Sequence, residues 1–448
     1  MNELELAFSV AEQVRAAGGR AFFVGGYVRD QLMGLSGKDI DIEVFGITPL
    51  RLREALSGLG EVYDKGAAFG VLGLRHSDLD IAMPRRESRT GDKHTDFDVS
   101  VDPFLSYEEA SRRRDFTINA MMLDPLTGEI VDCWGGREDL SVPVIRHVSD
   151  ETFADDALRV FRGAQFSARL DAEIAPETMA LCAGMDVSFL SRERVYEELS
   201  KAMLKAARPS VFFRRLREMG HLNEYFPEVA QLIGVEQNPA YHPEGDVFEH
   251  TLLTLDRAAA LRDQARERLN FMLAALLHDL GKYDATEIIN GRVTSHLHPD
   301  TGVPLAENQL RRLTNNSRTI AYVKNMVWLH MRPNMMAYSQ SKKKKTRAMF
   351  DESLCPEDLI LLSRADAEGS LGTPYSEASW DFLWDRLADF RDCLTRPMVT
   401  GADLLRAGYR SGPDMKSLIK RARLLHFAGM EKKRVLQTLI KETPPEKG

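Results

Sequence analysis

Apolar and polar residues alternate along the first third of the chain and then follow a helical period. The segments "AFFV", "DIDIEV", "FGVLGL" and "LDIAM" are typical of strands, with turn residues between them, and a helix-like segment at residues 4–17 precedes them. From about residue 146 onward, apolar residues recur at helical spacing, as in "DETFADDALRVFRGAQFSARL". The pattern predicts a mixed α/β region followed by a mostly helical remainder, a multidomain α+β chain.

Two stretches rich in turn-forming residues divide the helical part. "QNPAYHPEGD" at residues 237–246 and "GSLGTPYS" at residues 369–376 are typical of linkers or loops. A chain of 448 residues is long enough for about three domains or more. We therefore predict four regions, which are residues 1–140, 141–235, 236–370 and 371–448.

Composition narrows the class of protein. Apolar residues make up 44% and charged residues 28%, as in a soluble globular protein, and no apolar run approaches the roughly 18 residues of a membrane span. The chain does not open with a signal segment, and its four cysteines form no motif, so we expect a cytoplasmic protein with no membrane partner. Because the net charge is −8, a nucleic-acid partner would have to meet a local basic surface.

The segment "FFVGGYVRDQLMGLSGKDIDIEVFG" combines a glycine pair with alternating acids. In a strand, Asp39, Asp41 and Glu43 share one face, where two carboxylates suit a pair of divalent ions roughly 3.5 to 4 Å apart. Gly25 and Gly26 allow a tight turn that offers backbone N–H groups to a phosphate. The alternative is an ordinary solvated strand face.

Four further charged residues are candidates for the same site. Arg29 follows the glycine pair and would add positive charge near a phosphate. In "RRRDFTINAM", Arg114 would pair with triphosphate oxygens and Asp115 would accept from a ribose hydroxyl, although a surface ion-pair cluster has the same composition. Asp80, in "HSDLDIAM", is a third acid beside the metals or part of a plain surface strand.

The segment "ADDALRVFR" contains a carboxylate and a guanidinium three residues apart. On a helix, Asp156 and Arg159 would project from one face. Because a carboxylate accepts hydrogen bonds and a guanidinium donates them, the pair matches the Watson–Crick edges of cytosine and adenine but not those of uracil and guanine. Arg162 in the same segment is a further nucleotide-binding candidate. An ordinary surface ion pair would have the same spacing.

Taken together, these segments resemble the class II tRNA nucleotidyltransferases, the CCA-adding enzymes related to bacterial poly(A) polymerases. The motifs, in family order, are "GGYVRD", "DID", "RRRDFTINAM", "DCWGGREDL", "DDALRVFR" and "RERVYEEL". The resemblance implies an α/β nucleotidyltransferase head in which Asp39 and Asp41 are catalytic and bind Mg²⁺, followed by a helical neck where Asp156 and Arg159 select the base. Its partners would be tRNA, CTP and ATP. This chain has Asp155 where the family usually has Glu.

Histidines and acids in the third region have the character of metal ligands. The segments "VFEHTLLTL", "LLHDLGK" and "SRADAEG" supply His250, His278, Asp279 and Asp366, donors that suit a divalent transition metal. This set resembles an HD-type phosphohydrolase domain and implies these four residues as ligands. His298 and His330 are either additional ligands or ordinary buried histidines.

Alternatives to full CCA addition remain at this stage. The segment at residues 85–103 resembles the flexible loop of full CCA-adding enzymes, which disfavours a CC-only enzyme but not an A-only enzyme or a poly(A) polymerase. A metal-dependent phosphohydrolase with an RNA-binding head is the alternative from another class. The lysines at 342–345 and the basic helical tail are either tRNA contacts or solvated surface.

Overall fold

A computed structural model describes residues 2–35, 37, 39–66, 70–89, 97–372 and 376–445. The chain folds into two compact units. The first contains Met1–Leu199 and Val211–His221, and the second contains Ser200–Ser210 and Leu222–Gly448.

The first unit is built on a mixed sheet of seven strands. The strands are β1 (Arg20–Val24), β2 (Asp41–Phe45), β3 (Val62–Gly66), β4 (Val71–Leu74), β5 (Asp80–Ala82), β8 (Met122–Leu123) and β9 (Ile130–Val131). Their order in the sheet is β3-β4-β5-β2-β1-β8-β9. β2 and β5 run parallel and place Asp41 beside Asp80, whereas β1 pairs with β2 in the antiparallel sense and places Val24 opposite Asp41.

The alternation in "DIDIEV" fixes the orientation of β2. Ile40, Ile42 and Val44 are buried in the core on one side of the sheet. Burying each such side chain contributes about 1.5–3 kcal/mol, so a one-residue register shift that turned this row outward would be costly. The strand begins only at Asp41, so Asp39 lies two residues before it and not within the strand that the alternation predicts.

Helices and short strands complete the first unit. A hairpin is formed by β6 (Arg85–Arg89) and β7 (Phe97–Val101), and a short parallel pair by β10 (Val144–Ile145) and β11 (Glu173–Ile174). A 3₁₀ turn covers Thr117–Asn119. The helices are α1 (Glu3–Ala16), α2 (Gly26–Leu32), α3 (Pro49–Leu56), α4 (Tyr107–Ser111), α5 (Gly136–Ser141), α6 (Asp150–Phe153), α7 (Leu158–Leu170), α8 (Pro176–Ala183), α9 (Arg192–Lys205), which ends in the second unit, and α10 (Ser210–Glu218).

The second unit is almost entirely helical, as predicted. Its one hairpin within the described residues is β12 (Thr286–Ile289) with β13 (Arg292–Ser295). The helices are α11 (Leu222–Tyr225), α12 (Pro227–Ala230), α13 (Val247–Leu261), α14 (Arg268–Leu277), α15 (Lys282–Ala285), α16 (His298–Leu313), α17 (Ser317–Leu329), α18 (Met331–Tyr338), α19 (Lys343–Glu352), α20 (Pro356–Gly369), α21 (Glu377–Thr395), α22 (Gly401–Arg406), α23 (Asp414–Phe427) and α24 (Lys432–Glu442).

A separate apolar cluster stabilises the C-terminal helices of the second unit. Leu404, Leu418, Val435 and Leu439 belong to it, and they come from α22, α23 and α24. Across the part of the chain that the structure describes, no helix combines the length and the hydropathy that a bilayer crossing requires.

Candidate functional site

Three carboxylates meet where β2 begins. Asp41 is the first residue of β2, Asp39 lies two residues before it, and parallel pairing brings Asp80 alongside. Partial burial raises the pKa of Asp41, and the negative charges of Asp80 and Asp39 raise it further. Uncompensated negative charge on oxygen ligands is the environment that Mg²⁺ and similar cations prefer, so these residues fit a divalent metal site.

Lys65 limits the negative charge at this cluster. Its ammonium group pairs with Asp80 and also donates to the backbone oxygen of Asp78. The same ammonium group opposes the rise in the pKa of Asp41. Asp80 therefore lies at the acid cluster, as one of the two sequence interpretations expected.

The glycine turn lies directly against the acids. Gly25 has φ of 68°, a left-handed conformation that favours glycine. An added Cβ atom there would lie 3.5 Å from Arg114 Nη1 and 3.7 Å from Asp41 Oδ2. Gly26 begins α2 immediately afterwards. A side chain at Gly25 would thus enter the space shared by the acid and the guanidinium.

Arg29 is buried beneath the turn. Only 3% of its side chain is exposed, and its guanidinium bonds to Asp30 and donates to Asn119 Oδ1 over 2.5 Å. It also lies 5.0 Å from the ring centre of Phe166. Burial lowers the pKa of Arg29. These contacts connect α2 to the 3₁₀ turn that carries Asn119.

Arg113 and Arg114 both bind a buried acid on β2. Glu43 is 1% exposed, and its two oxygens accept from Arg113 Nη2 over 2.8 Å and from Arg114 Nη2 over 3.0 Å. Burial alone would raise the pKa of Glu43, but the charges and hydrogen bonds of Arg114 and Arg113 lower it overall.

Asp115 is held by the neck. Its Oδ2 accepts from Arg162 Nε over 2.8 Å, and its Oδ1 accepts from Asn119 Nδ2 over 3.1 Å. Although burial opposes it, the pKa of Asp115 is lowered because Arg162 and Asn119 stabilise the charged form. Arg162 also lies 3.7 Å from Glu198 on α9. Asp115 and Arg162, two of the predicted nucleotide-binding residues, are therefore in direct contact, and Arg114 immediately precedes Asp115 in the chain.

Asp156 and Arg159 have separate partners. Because α7 begins at Leu158, Asp156 precedes the helix, and its Oδ1 accepts from the Leu158 N–H over 3.1 Å. Its Oδ2 pairs with Arg194 Nη2 over 2.8 Å. Arg159 donates to the backbone oxygens of Arg113, over 2.6 Å, and of Thr152. The expectation that both residues lie on one helix is therefore wrong for Asp156, although the two remain three positions apart at the same helix start.

The second unit gathers the predicted metal ligands into one buried cluster. His250 lies on α13, His278 and Asp279 follow α14, and Asp366 lies on α20. His250 Nε2 is 3.1 Å from Asp366 Oδ1, and His278 Nε2 is 3.2 Å from Asp279 Oδ2 and 3.6 Å from Asp366 Oδ1. His278 is fully buried, and both it and Asp279 have side-chain atoms there that make no well-formed hydrogen bond.

His298 and His330 extend this cluster on its other side. Their Nε2 atoms lie 3.2 Å and 3.5 Å from Asp279 Oδ1, whereas Oδ2 faces His250 and His278. Asp279 thus has one oxygen toward each histidine pair. The sequence left these two histidines open, and the structure brings both to the predicted ligands.

The ring orientation of the histidines suits metal binding. Nδ1 donates to a backbone oxygen in three rings, over 2.6 to 2.9 Å, namely in His278, His298 and His330. A carbonyl oxygen only accepts, so Nδ1 carries a proton and Nε2 is the ring nitrogen that can bind a metal. The charges of Asp279 and Asp366 overcome burial and raise the pKa of His278 to about 10, so a metal bound at its Nε2 would displace a proton. A divalent transition metal fits this donor set.

Glu244 is a member of the site that the sequence interpretation missed. It lies in the Pro- and Gly-rich segment expected to be a linker, yet its side chain is 1% exposed. Its Oε1 accepts from His250 Nδ1 over 3.1 Å and from His242 Nδ1 over 2.8 Å, and its Oε2 accepts from the Leu371 N–H. Burial opposes the shift, but these hydrogen bonds lower the pKa of Glu244 to about 2. Its proximity in sequence to His250 was the available signal.

A cavity of about 920 Å³ opens onto the cluster. Asp279, Asp366 and His298 line its floor, and Lys282 and Arg292 contribute positive charge. Lys282 Nζ forms an ion pair with Asp279 Oδ2 at 2.6 Å and donates a hydrogen bond to Gln237 Oε1 over 2.9 Å. Tyr241, Tyr338 and Trp380 add aromatic surface. The cavity can hold an anionic ligand with an aromatic or sugar portion.

Within the described residues, the segment compared with a flexible loop and the lysine run at 342–345 are not part of the acid cluster or of the histidine and aspartate cluster. Residues 90–96, the centre of the segment compared with a flexible loop, lie outside the described residues. In the lysine run, Lys343 pairs with Asp389 over 2.6 Å, and the exposed ammonium groups beside it lie at the start of α19.

Three protein-family models match consecutive parts of the chain. "Poly A polymerase head domain" matches residues 21–146, "Probable RNA and SrmB- binding site of polymerase A" matches residues 173–233, and "HD domain" matches residues 247–368. The first contains the acid cluster, and the last contains the histidine and aspartate cluster.

Relatives are similar over almost the whole chain. The "Multifunctional CCA protein" of Alkalilimnicola ehrlichii is 35% identical over 427 residues, which is 92% of this chain and 98% of the relative. The protein of the same name from Teredinibacter turnerae is 34% identical over 428 residues, or 91% and 100% of the two chains.

Solved structures share the fold. The Bacillus stearothermophilus CCA-adding enzyme in complex with CTP aligns with a TM-score of 0.68 at 22% identity, over 99% of this chain and 98% of that one. The Thermotoga maritima CCA-adding enzyme complexed with tRNA aligns with a TM-score of 0.63 at 19% identity, over 98% and 95%. The predicted fold class is confirmed.

Proposed function

Because this chain belongs to the family of multifunctional CCA proteins, we propose that it is a tRNA nucleotidyltransferase that adds C and A to the tRNA 3′ end. In each step, the terminal 3′ hydroxyl attacks the α-phosphate of CTP or ATP, a phosphodiester bond forms, and pyrophosphate leaves. The base is chosen by protein side chains rather than by a nucleic-acid template. Its partners are therefore tRNA, CTP and ATP.

The observation that carries the proposal is the acid cluster beside the glycine turn. Asp39 and Asp41 are the proposed catalytic metal ligands, and Asp80 is positioned to be a third. Two bound Mg²⁺ ions would activate the 3′ hydroxyl and stabilise charge on the triphosphate. The residues fit this role because two other acids lie close to Asp41. The positive charges of Lys65 and Arg114 offset their negative charge only in part.

The glycine turn and the arginines are the proposed triphosphate contacts. Gly25 presents no side chain toward Arg114 and Asp41, and a Cβ atom at Gly26 would instead face the Arg29 guanidinium. Arg114 would bind phosphate oxygens with the guanidinium nitrogens that do not contact Glu43. Arg29 holds the turn from beneath through Asn119 and contributes positive charge from there.

Asp115 and Arg162 are the proposed ribose contacts, and Asp156 and Arg159 the proposed base contacts. Asp115 is kept ionised by Arg162, so it can accept a hydrogen bond from a sugar hydroxyl. Asp156 and Arg159 would exchange their present protein partners for the donor and acceptor of a cytosine or adenine edge. Uracil and guanine offer the opposite pattern and are excluded.

The histidine and aspartate cluster supports a second, hydrolytic activity. We propose His250, His278, Asp279 and Asp366 as ligands of a divalent transition metal, with His298 and His330 as further ligands. Such a metal supplies Lewis acidity for hydrolysis of a phosphate ester. Lys282 and Arg292 in the adjoining cavity would bind the phosphate, which favours a phosphatase or cyclic phosphodiesterase.

The proposed domains follow the regions predicted from the sequence. Residues 1–140 form the nucleotidyltransferase head, 141–235 the neck that selects the nucleotide, 236–370 the metal-dependent hydrolase domain, and 371–448 a helical tail that contacts tRNA. The family-model matches at 21–146, 173–233 and 247–368 support the first three.

Sequencing of extended RNA ends tests the transferase function. A tRNA transcript that lacks its CCA end is incubated with Mg²⁺ and CTP, ATP or both, and its 3′ ends are sequenced. The proposal predicts addition of CC with CTP alone and of CCA with both nucleotides. Incorporation of A alone would indicate an A-adding enzyme, long A tracts would indicate a poly(A) polymerase, and no extension would contradict the proposal.

A further inference from the structure

Glu43 is a buried charge at the centre of the head. It lies on β2 two residues after Asp41, so both side chains project from the same face of the strand. Whereas Asp41 reaches solvent, Glu43 is 1% exposed and lies opposite Phe22 on β1. Both of its oxygens accept hydrogen bonds from arginines, which sets Glu43 apart from the acids at the start of the strand.

A buried ion pair is not by itself a gain in stability. Removing charged groups from water costs several kcal/mol per ion, and a pair of apolar residues often stabilises a core equally well. The arrangement around Glu43 uses one carboxylate for two guanidinium groups that come from consecutive residues. The two arginines differ in their other contacts, which involve the second guanidinium nitrogen of Arg114 and the backbone oxygen of Arg113.

Arg114 lies between two acids. Its Nη2 donates to Glu43 over 3.0 Å, while Nη1 faces the position that a side chain at Gly25 would occupy, next to Asp41 Oδ2. The positive charge of Arg114 already opposes the rise in the pKa of Asp41. Without Glu43, the Arg114 guanidinium would be free to pair with Asp41, whose charge it already influences and which is an oxygen donor that the metals would require.

Arg113 connects the same carboxylate to the base-selecting end of the site. Its side chain donates to Glu43 Oε1, and its backbone oxygen accepts from Arg159 Nη2 over 2.6 Å. A single residue therefore joins β2, which carries the catalytic acid, to the guanidinium proposed to read the base. Displacement of the Arg113 side chain would also move the carbonyl that orients Arg159.

We propose that Glu43 is a positioning residue that keeps Arg114 off Asp41 and fixes the Arg113 backbone that orients Arg159. The proposal rests on the transferase function proposed above. Glu43 would then affect two properties of the enzyme. One is the concentration of Mg²⁺ and nucleotide that the enzyme needs, and the other is its choice of base. A residue that only stabilised the fold would change neither property in the folded enzyme.

The test compares Glu43→Gln with the wild-type enzyme on CCA-less tRNA. We expect the half-saturating Mg²⁺ concentration and the KM for CTP to rise roughly five- to tenfold, since a charge-assisted contact is lost, while kcat at saturation changes less than about threefold. UTP incorporation relative to CTP should rise by a similar factor. Glu61→Gln, which removes an exposed acid paired with Arg75, is the matched control and should leave all three unchanged.

A second comparison isolates Arg114 and covers a failure to fold. In an Arg114→Gln background, Glu43→Gln should raise the Mg²⁺ requirement no further, because no guanidinium remains to compete for Asp41. If circular dichroism shows that Glu43→Gln does not fold, Glu43→Asp is tested instead. This variant keeps the negative charge on a side chain one methylene shorter, and it should show the same changes with smaller magnitude.

The possible results distinguish a failure of the positioning role of Glu43 from a failure of the transferase function. A folded Glu43→Gln or Glu43→Asp variant with wild-type Mg²⁺ dependence and wild-type base choice would overturn the positioning role. Failure of the wild-type enzyme to extend tRNA would instead contradict the transferase function. A folded variant that lost kcat but kept the wild-type KM and base choice would also overturn the positioning role.

Discussion

His250 Nδ1 donates a hydrogen bond to Glu244 Oε1 over 3.1 Å, while the Nε2 atom of the same ring lies 3.1 Å from Asp366 Oδ1. The carboxylate thus fixes the ring so that its second nitrogen faces the proposed metal site. Carboxylates in this position orient a histidine ligand and increase its basicity.

Replacement of this carboxylate should weaken metal binding. For Glu244→Gln we expect an affinity for a divalent transition metal about 10- to 100-fold lower than wild type, with nucleotide addition unchanged. Metal content after dialysis against a chelator, measured by mass spectrometry, gives the readout. Glu287→Gln on the exposed strand β12 is the control. Wild-type metal retention in Glu244→Gln would contradict the assigned orientation.

The two metal sites should fail independently. Asp39→Ala removes a proposed ligand of the transferase site and should abolish nucleotide addition, whereas His278→Ala should leave addition intact and remove bound metal from the second unit. Extension of labelled tRNA and metal content, measured on the same preparations, distinguish the variants. Equal loss of addition in both would mean that the two chemistries are not independent.

Arg159→Ala should reduce base selectivity more than RNA binding. A bidentate contact to a base edge contributes about 1–3 kcal/mol of discrimination, so UTP incorporation relative to CTP should rise at least about fivefold. The tRNA dissociation constant should change less than about twofold, because Arg159 bonds to the backbone oxygens of Thr152 and Arg113 within the protein. Unchanged selectivity would remove Arg159 from base recognition.

Asp115 should stabilise the first unit in a pH-dependent way. Its pKa is lowered in the folded state, so its contribution is complete above the ordinary carboxyl pKa of about 3.9 and is lost as the pH falls through the lowered value. Asp115→Asn removes the charge that pairs with Arg162 at closer range than Glu198 does, and should cost about 3 kcal/mol at pH 7. Urea unfolding at pH 7, 5 and 3.5 should show a constant difference at the first two and a smaller one at the third.

Local patterns were sufficient to predict the acids of the head but not their full set. The alternation in "DIDIEV" predicted that Asp39 and Asp41 face the same way, because strand periodicity is a property of consecutive residues. The position of Asp80 depends on parallel pairing of β2 with β5, which no local pattern specifies. Glu43 was expected in the acid row, but its burial depends on two arginines about 70 residues later.

The second unit shows the same division. "HD" and the spaced histidines indicated a metal site because the residue types themselves bind metals. Glu244 was missed because a Pro- and Gly-rich segment has no periodicity, and its function depends on a bond to His250 that forms only when the segment packs. Arg29 was expected to add charge near a phosphate, but the structure buries it against Asn119 and Phe166.

Anomalous diffraction from crystals soaked in Mn²⁺ and CTP would show whether the acid cluster of the first unit binds the metals of nucleotide transfer. We expect manganese peaks bound by the carboxylates of Asp39 and Asp41 and next to the triphosphate. Manganese that binds elsewhere in the first unit, with these two carboxylates free of metal while CTP is bound, would contradict it.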